Sequence, residues 1–314
     1  ADKETADKET ADKETADKAA AVEKTSTAAK VKPTPPETKP SSKPAEPSKT
    51  PPAKPVVSKQ LVRTLVGIAA AYSVAFSPDG TQLAATHGTA VKVWNVESGK
   101  EERTLEDVDN HDVVSLSFSP DGKRLASTSG SMIKVWDMVS GRVLVRLEGH
   151  TESVNGIAFS SDGKRLASAS DDKMLKVWNT LTGELVRTMK GHSDRVHSVS
   201  FSPDGRQVAS TSRDKTMRVW NVSSGEALSK KGSNHSIKAL IFSPDGKRLA
   251  SIDADVGKGE DGVVSLYDTN AKSLGALTGH RGQVTGVAFG PTGRWLVSTG
   301  VDRTVRVWDV ASRR

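Results

Sequence analysis

The chain has no cysteine, which excludes disulfides, thiol catalysis and thiolate metal sites. No apolar run approaches the roughly 20 residues that a membrane helix needs. The HExxH, GxSxG and P-loop patterns are also missing, so zinc-protease, serine-hydrolase and nucleotide-phosphate chemistry have no local signature. Residues 1–58 lack Trp, Tyr, Phe, His, Leu and Ile altogether. Such a segment cannot bury enough apolar surface to offset its ordering entropy and is expected to be disordered.

Aromatic residues are scarce, at 4% of the chain, and their placement is regular. Phe76, Phe118, Phe159, Phe201, Phe242 and Phe289 are the only phenylalanines, spaced by 42, 41, 42, 41 and 47 residues. Each is followed four residues later by glycine: Gly80, Gly122, Gly163, Gly205, Gly246 and Gly293. Trp94, Trp136, Trp178, Trp220 and Trp308 keep the same beat, with Tyr267 in the fifth place. A period of about 40–45 residues signals a repeat architecture.

The third repeat shows the unit. Apolar VNGIAF (154–159), LASAS (166–170), MLKVWN (174–179) and ELVRTM (184–189) alternate with turns rich in Gly, Asp and Ser. Four short β-type runs per period predict a four-stranded antiparallel sheet. One such sheet cannot bury both faces, and radial stacking of six solves this as a β-propeller.

The residues GHTESVNGIAFSSDGKRLASASDDKMLKVWN resemble a WD40 repeat, and FSPDGKRLAS resembles bacterial members of that family. The resemblance covers residues 59–314 and recurs six times. It implies an all-β, six-bladed propeller and a buried His, Ser, Asp and Trp hydrogen-bond chain in the outer part of each blade. Three blades have the full set: His150, Ser168, Asp172 and Trp178; His192, Ser210, Asp214 and Trp220; His280, Ser298, Asp302 and Trp308. These sets imitate catalytic triads, but an active site is normally unique and these recur, so a structural role is expected. A satisfied polar network also specifies one packing.

Other blades depart from the pattern. Blade 1 has Ala85 and Gly88 where Ser and Asp are expected, and blade 2 has Gly130 in place of Asp. Both are expected to be the least stable part of the ring. Blades 2 and 5 open on shorter loops carrying Asn110-His111 and Asn234-His235, whose histidines are expected outside any network. The last repeat stops after its third strand. Residues 60–65 resemble a fourth strand and are expected to close that blade, leaving no open sheet edge.

The expected domains are an Ala/Asp/Lys/Glu/Thr-rich tail (1–30), a Pro/Lys-rich linker (31–58) and the propeller (59–314). ADKET repeats place Glu4, Glu9 and Glu14 four residues before Lys8, Lys13 and Lys18, a helix-favouring order without an apolar stripe. The linker holds nine of the fourteen prolines and extends roughly 85 Å at about 3.1 Å per residue. Pro44 and Pro47 form a PxxP spacing that reads as spacer chemistry rather than as an SH3 ligand.

The net charge of +7 is mild and does not indicate nucleic acid. Lys123-Arg124, Lys164-Arg165, Arg206, Lys247-Arg248 and Arg294 fall in the first turns, which share one face in the family topology. The opposite face is where WD40 domains usually bind peptides. Asp107, Asp109, Asp112, Glu152 and Asp171 make an acidic sector there, beside basic Arg195, Arg213 and Lys215. His111 and His235 complete the candidate contacts. In blade 5, Asp253, Asp255, Glu260 and Asp261 suggest a calcium loop, but Lys258 and Val264 break the EF-hand template. Asp261 instead fits the structural Asp position, and Gly257, Gly259 and Gly262 precede a strand rather than a helix, against dinucleotide binding.

The expected function is a non-catalytic scaffold that binds a protein or peptide, with no cofactor, metal or small-molecule substrate. A structural subunit of a larger complex is the alternative. A tethered extracytoplasmic protein fits the spacer, and a fragment of a cytoplasmic one fits it as well.

Overall fold

The computed structural model describes residues 71–106, 111–253 and 261–313. Every regular element among them is a β-strand. Blade 1 comprises β1 (Val74–Phe76), β2 (Gln82–His87), β3 (Ala90–Asn95) and β4 (Glu101–Glu106). Blade 2 comprises β5 (Leu116–Phe118), β6 (Arg124–Ser129), β7 (Met132–Asp137) and β8 (Val143–Leu147). Blade 3 follows with β9 (Val154–Phe159), β10 (Arg165–Ser170), β11 (Met174–Asn179) and β12 (Leu185–Lys190). Blade 4 contains β13 (Val196–Phe201), β14 (Gln207–Ser212), β15 (Thr216–Asn221) and β16 (Ala227–Gly232). Blade 5 contains β17 (Ile237–Phe242), β18 (Arg248–Asp253), β19 (Gly262–Asp268) and β20 (Ser273–His280). Blade 6 shows β21 (Val284–Phe289), β22 (Trp295–Gly300) and β23 (Val305–Asp309).

Each blade is an antiparallel meander in chain order. The first strands of successive blades, β1, β5, β9, β13, β17 and β21, touch one another in turn, which sets them around a common axis. The molecule is a six-bladed propeller. Blade 6 has three described strands. The fourth strand expected from residues 60–65 lies outside the described residues, as do the tail and the linker.

The core lies between blades. Between blades 3 and 4, Ala167, Leu175 and Val177 pack with Val196, Val199 and Phe201. Leu175 and Val177, and likewise Val199 and Phe201, are alternate residues of short strands, so one face of each sheet meets the next blade. Burial of each aliphatic side chain contributes about 1.5–3 kcal/mol. The Phe beat places Phe118, Phe159, Phe201 and Phe242 in these interfaces, each at most 9% exposed. Phe76 is different, at 61% exposure.

The Phe-to-Gly spacing encodes a turn. In blade 4, Ser202 Oγ donates to Asp204 Oδ1 at 2.6 Å, and Asp204 accepts the Arg206 N–H at 3.0 Å. Ser202 Oγ also accepts the Gln207 N–H at 2.9 Å. Gly205 closes the turn at φ +67°, a left-handed conformation costly for other residues. The same Ser and Asp bond recurs in blades 1, 2, 3 and 5. In all five blades it lowers the Asp pKa, the Ser hydroxyl being the largest cause.

The second turns of blades 1 and 2 are short. His87 pairs with Ala90 and Ser129 with Met132, leaving two-residue connections in which Gly88 and Gly130 have φ of +61° and +58°. Glycine supplies that geometry, and no residue is left over for the network Asp. In blades 3, 4 and 6 the longer turn instead places Lys173, Lys215 and Arg303 in the left-handed region.

Candidate functional site

The three His-based sets form continuous chains. In blade 4 the Trp220 indole N–H donates to Ser210 Oγ at 2.8 Å, and the same oxygen lies 2.8 Å from His192 Nε2. His192 Nδ1 lies 2.9 Å from Asp214. Blade 3 has Trp178 to Ser168 at 2.9 Å, Ser168 to His150 at 2.7 Å and His150 to Asp172 at 2.7 Å. Blade 6 has Trp308 to Ser298 at 2.8 Å, Ser298 to His280 at 2.8 Å and His280 to Asp302 at 3.0 Å. The indole occupies one lone pair of the serine. Its hydroxyl hydrogen then goes to Nε2 of a neutral imidazole, whose Nδ1–H donates to the carboxylate.

Electrostatics agree with that proton arrangement. Burial alone would raise the Asp214 pKa, but the Thr216 hydroxyl, His192 and the Ser193 N–H outweigh it and bring it to about 2. Asp172 and Asp302 shift in the same direction although burial opposes it. Burial lowers the His192 pKa, with Asp214 opposing. Ser168, Ser210 and Ser298 are at most 1% exposed. A hydroxyl sealed in this way cannot reach a substrate, so these sets are braces and not active sites.

Blades without the full set are held differently. Trp136 keeps its bond to Ser127 at 2.7 Å. The His111 ring lies over Gly130, 3.0 Å from where a Cβ would stand, and is exposed. His235 is half-buried and acts on Asp253, whose pKa burial raises while His235 and Ser233 oppose the shift. The position given to Asp261 needs correction. It is exposed just before β19, while Asp253 is the carboxylate partly withdrawn from solvent. Asp255 and Glu260 lie outside the described residues, and no metal-binding cluster occurs among the described ones.

The basic first turns are partly occupied within the fold. Arg124 reaches into blade 3, donating to Thr180 Oγ1 at 2.9 Å and Gly163 O at 2.8 Å, and lies 5.7 Å from the Phe159 ring centroid. Arg294 pairs with Asp309 at 3.1 Å and stacks 4.7 Å from the Trp295 ring. Lys123, Lys164, Arg206 and Lys247 are exposed.

A cavity of about 500 Å³ opens at the axis. Ser115 of blade 2, Asn155 of blade 3, His197 of blade 4, Lys238 of blade 5 and Gln283 beside blade 6 all line it. Asn155 Nδ2 donates to Asp171 Oδ1 at 2.7 Å and to Val196 O at 3.0 Å. Arg195 lies 3.5 Å from Asp171. Burial lowers the His197 pKa; Asp171 and Asp194 oppose this, and Arg213 and Arg195 reinforce it. His197 is therefore mainly neutral at pH 7, able to donate and to accept.

Of the candidate contacts, the structure brings Asp171, Arg195 and Arg213 together around His197. The acidic and basic sectors interlock there through the Asp171–Arg195 pair. Asp112 and Glu152 are exposed on other loops, Lys215 is exposed on the same turn as Arg213, and Asp107 and Asp109 lie outside the described residues. Asn155, His197 and Lys238 were missed by sequence reasoning. Their signal was present: each lies four residues before its Phe, a polar position at the start of an apolar strand.

Comparison with known proteins places the chain. Six segments, residues 59–95, 99–137, 141–179, 183–221, 227–268 and 271–309, match the family described as WD domain, G-beta repeat. The chain belongs to this family, whose propellers generally serve as non-catalytic scaffolds. A stretch of 52 residues is 46% identical to the target of rapamycin complex subunit LST8 of Saccharomyces cerevisiae, covering 16% of this chain and 17% of that protein. Another of 54 residues is 37% identical to human WD repeat-containing protein 36, covering 17% of this chain and 6% of that protein. A third of 51 residues is 39% identical to nuclear distribution protein PAC1-2 of Uncinocarpus reesii, covering 16% and 11%. The matched parts span less than a fifth of each relative. These relatives are fungal and human, so they do not support the bacterial likeness of the FSPDGKRLAS turn. No helix among the described residues is long and apolar enough to cross a membrane.

Proposed function

We propose that this chain is a non-catalytic scaffold that captures a protein loop or peptide at the axial cavity. The observation that carries the reading is the ring of unlike polar groups around it. Asn155, His197, Lys238 and Gln283 come from or adjoin four blades, with Asp171, Arg195 and Arg213 at its edge. A mouth of donors, acceptors and both charges suits a mixed-charge peptide segment. Glu152, Asp112, His111, Lys215 and His235 would extend contacts outward over the loops. The catalytic reading has no support in the network serines, which are sealed. Relatives named as a complex subunit and a distribution protein fit a binding role.

The test is capture from native extract by the chain and by Arg195→Glu/Arg213→Glu and Lys238→Glu variants. Partners lost by the variants, with an unchanged melting curve, support the reading. Identical capture by all three overturns it. The alternative, a permanent structural subunit, predicts partners in stoichiometric amounts.

A further inference from the structure

The residue six positions after each repeat Phe divides the first turns into two kinds. It is arginine in blades 2, 3 and 5 (Arg124, Arg165 and Arg248), glutamine in blades 1 and 4 (Gln82 and Gln207), and Trp295 in blade 6. Arg124 leaves its own blade and fills the groove to blade 3, donating to Thr180 Oγ1 and Gly163 O. The Arg165 guanidinium lies likewise beside Gly205 of blade 4, 3.0 Å from where a Cβ would stand. Burial follows the same division. The turn glycines of the blades after these three arginines, Gly163, Gly205 and Gly293, are buried. Those of the blades after Gln82 and Gln207, Gly122 and Gly246, are only half-buried.

The groove between blades 4 and 5 keeps every part of this arrangement except the guanidinium. Pro120 Cδ lies 3.4 Å from the Cβ position of Gly163, and Pro203 Cδ 3.3 Å from that of Gly246, so the two pairs of turns stand equally far apart. Thr269, two residues after Tyr267, is the counterpart of Thr180, two residues after Trp178. Thr180 is 1% exposed beneath Arg124. Thr269 is half-buried and lines, with Asp204, Gln207, Asp245 and Gly246, an open cavity of about 270 Å³. The turn charges of the two pairs of blades correspond one for one apart from Arg124 and Gln207, so the open groove lacks one positive charge. The bonds that Asp204 and Asp245 accept from their own turns fall on Oδ1, and Oδ2 of each can accept another.

We infer that this groove takes an arginine side chain of a partner protein. Its guanidinium donates to Gly246 O and Thr269 Oγ1, as Arg124 does to Gly163 O and Thr180 Oγ1, and Asp204 and Asp245 answer its charge. A planar fork meets two acceptors at once, which a lysine ammonium does not. The groove between blades 1 and 2 has Met138 in place of the threonine, and Gln82 there is tied to Glu102 at 2.7 Å, so it lacks the second acceptor. The arginine groove shares no residue with the axial cavity and does not depend on capture there.

The test titrates the full chain with the tripeptide acetyl-Gly-Arg-Gly-amide and follows backbone amide chemical shifts. The peptide should shift Gly246, Lys247 and Thr269 with a Kd of about 1–10 mM. The matching lysine tripeptide should bind at least about threefold more weakly. Asp204→Asn/Asp245→Asn should weaken the arginine peptide by about threefold or more. Gln207→Arg makes the occupant internal, and should abolish the shifts and raise Tm by about 2 °C or more. Arg124→Gln empties the sister groove and should create a second site, seen as new shifts at Gly163 and Thr180.

Absence of shifts at Gly246 and Thr269 up to about 50 mM arginine peptide overturns the inference. Equal shifts at Gly163 in the unsubstituted chain, where Arg124 fills the groove, reduce the effect to unspecific attraction and also overturn it. Larger shifts of the same amides by inorganic phosphate assign the groove to an anion and overturn it too. If Gln207→Arg does not fold, the lysine peptide and Arg124→Gln still decide: equal binding of both peptides, or no new site at Gly163, refutes the arginine groove.

Discussion

Ser210 Oγ stands 2.8 Å from His192 Nε2, in a site from which solvent is excluded. It joins an indole donor to an imidazole acceptor, so its removal strands two buried groups at once. Ser210→Ala is expected to lower unfolding stability by about 1–3 kcal/mol. Ser168→Ala and Ser298→Ala should cost similar amounts, and the double variant Ser168→Ala/Ser298→Ala should be additive within about 0.5 kcal/mol because the blades share no partner. Urea unfolding monitored by tryptophan fluorescence checks this.

The same chain sets an acid response. The folded His192 pKa is depressed below its ordinary 6.5, so the stability it contributes is complete above about pH 6.5 and declines as pH falls below that value. Asp214 is depressed from 3.8 to about 2, so its contribution is present above pH 3.8 and is lost as pH falls through about 2. Stability measured against pH should drop in two stages, and Asp214→Asn should shrink the lower one, to which Asp172, Asp302 and the turn aspartates also contribute. A single stage unchanged by that substitution would contradict the assignment.

Arg124 and Lys123 are neighbours in sequence with different expected weights. Arg124 bridges to Thr180, Gly163 and Phe159, whereas Lys123 is exposed. Arg124→Ala should cost about 1–2 kcal/mol, and Lys123→Ala less than about 0.5 kcal/mol. Arg124→Lys should recover only part of the loss, because a point charge cannot reproduce the fork. Thermal melts of the three variants provide the measurement.

Two phenylalanines on the same beat should also differ. Phe159→Ala removes a ring only 9% exposed and is expected to cost about 3–5 kcal/mol, while Phe76→Ala, at 61% exposure, should cost under about 1 kcal/mol. Equal costs would mean that Phe76 is covered in solution.

The period of the Phe, Gly and Trp residues determined the strand order, the turns and the propeller, because each position has one environment wherever the unit repeats. It also located the three His-based chains, since Ser ten and Asp six residues before Trp fall on the strand and the turn that lead into the Trp strand of one hairpin. Sequence reasoning placed Asp261 at the structural Asp position, whereas it stands exposed just before β19, beside the insertion of blade 5. Only the tertiary structure joined Asn155, His197 and Lys238, which are some forty residues apart and meet because first strands converge on the axis. It alone distinguished Phe76 from Phe159. Periodicity specifies what a blade face is made of, whereas its burial depends on what packs beside it.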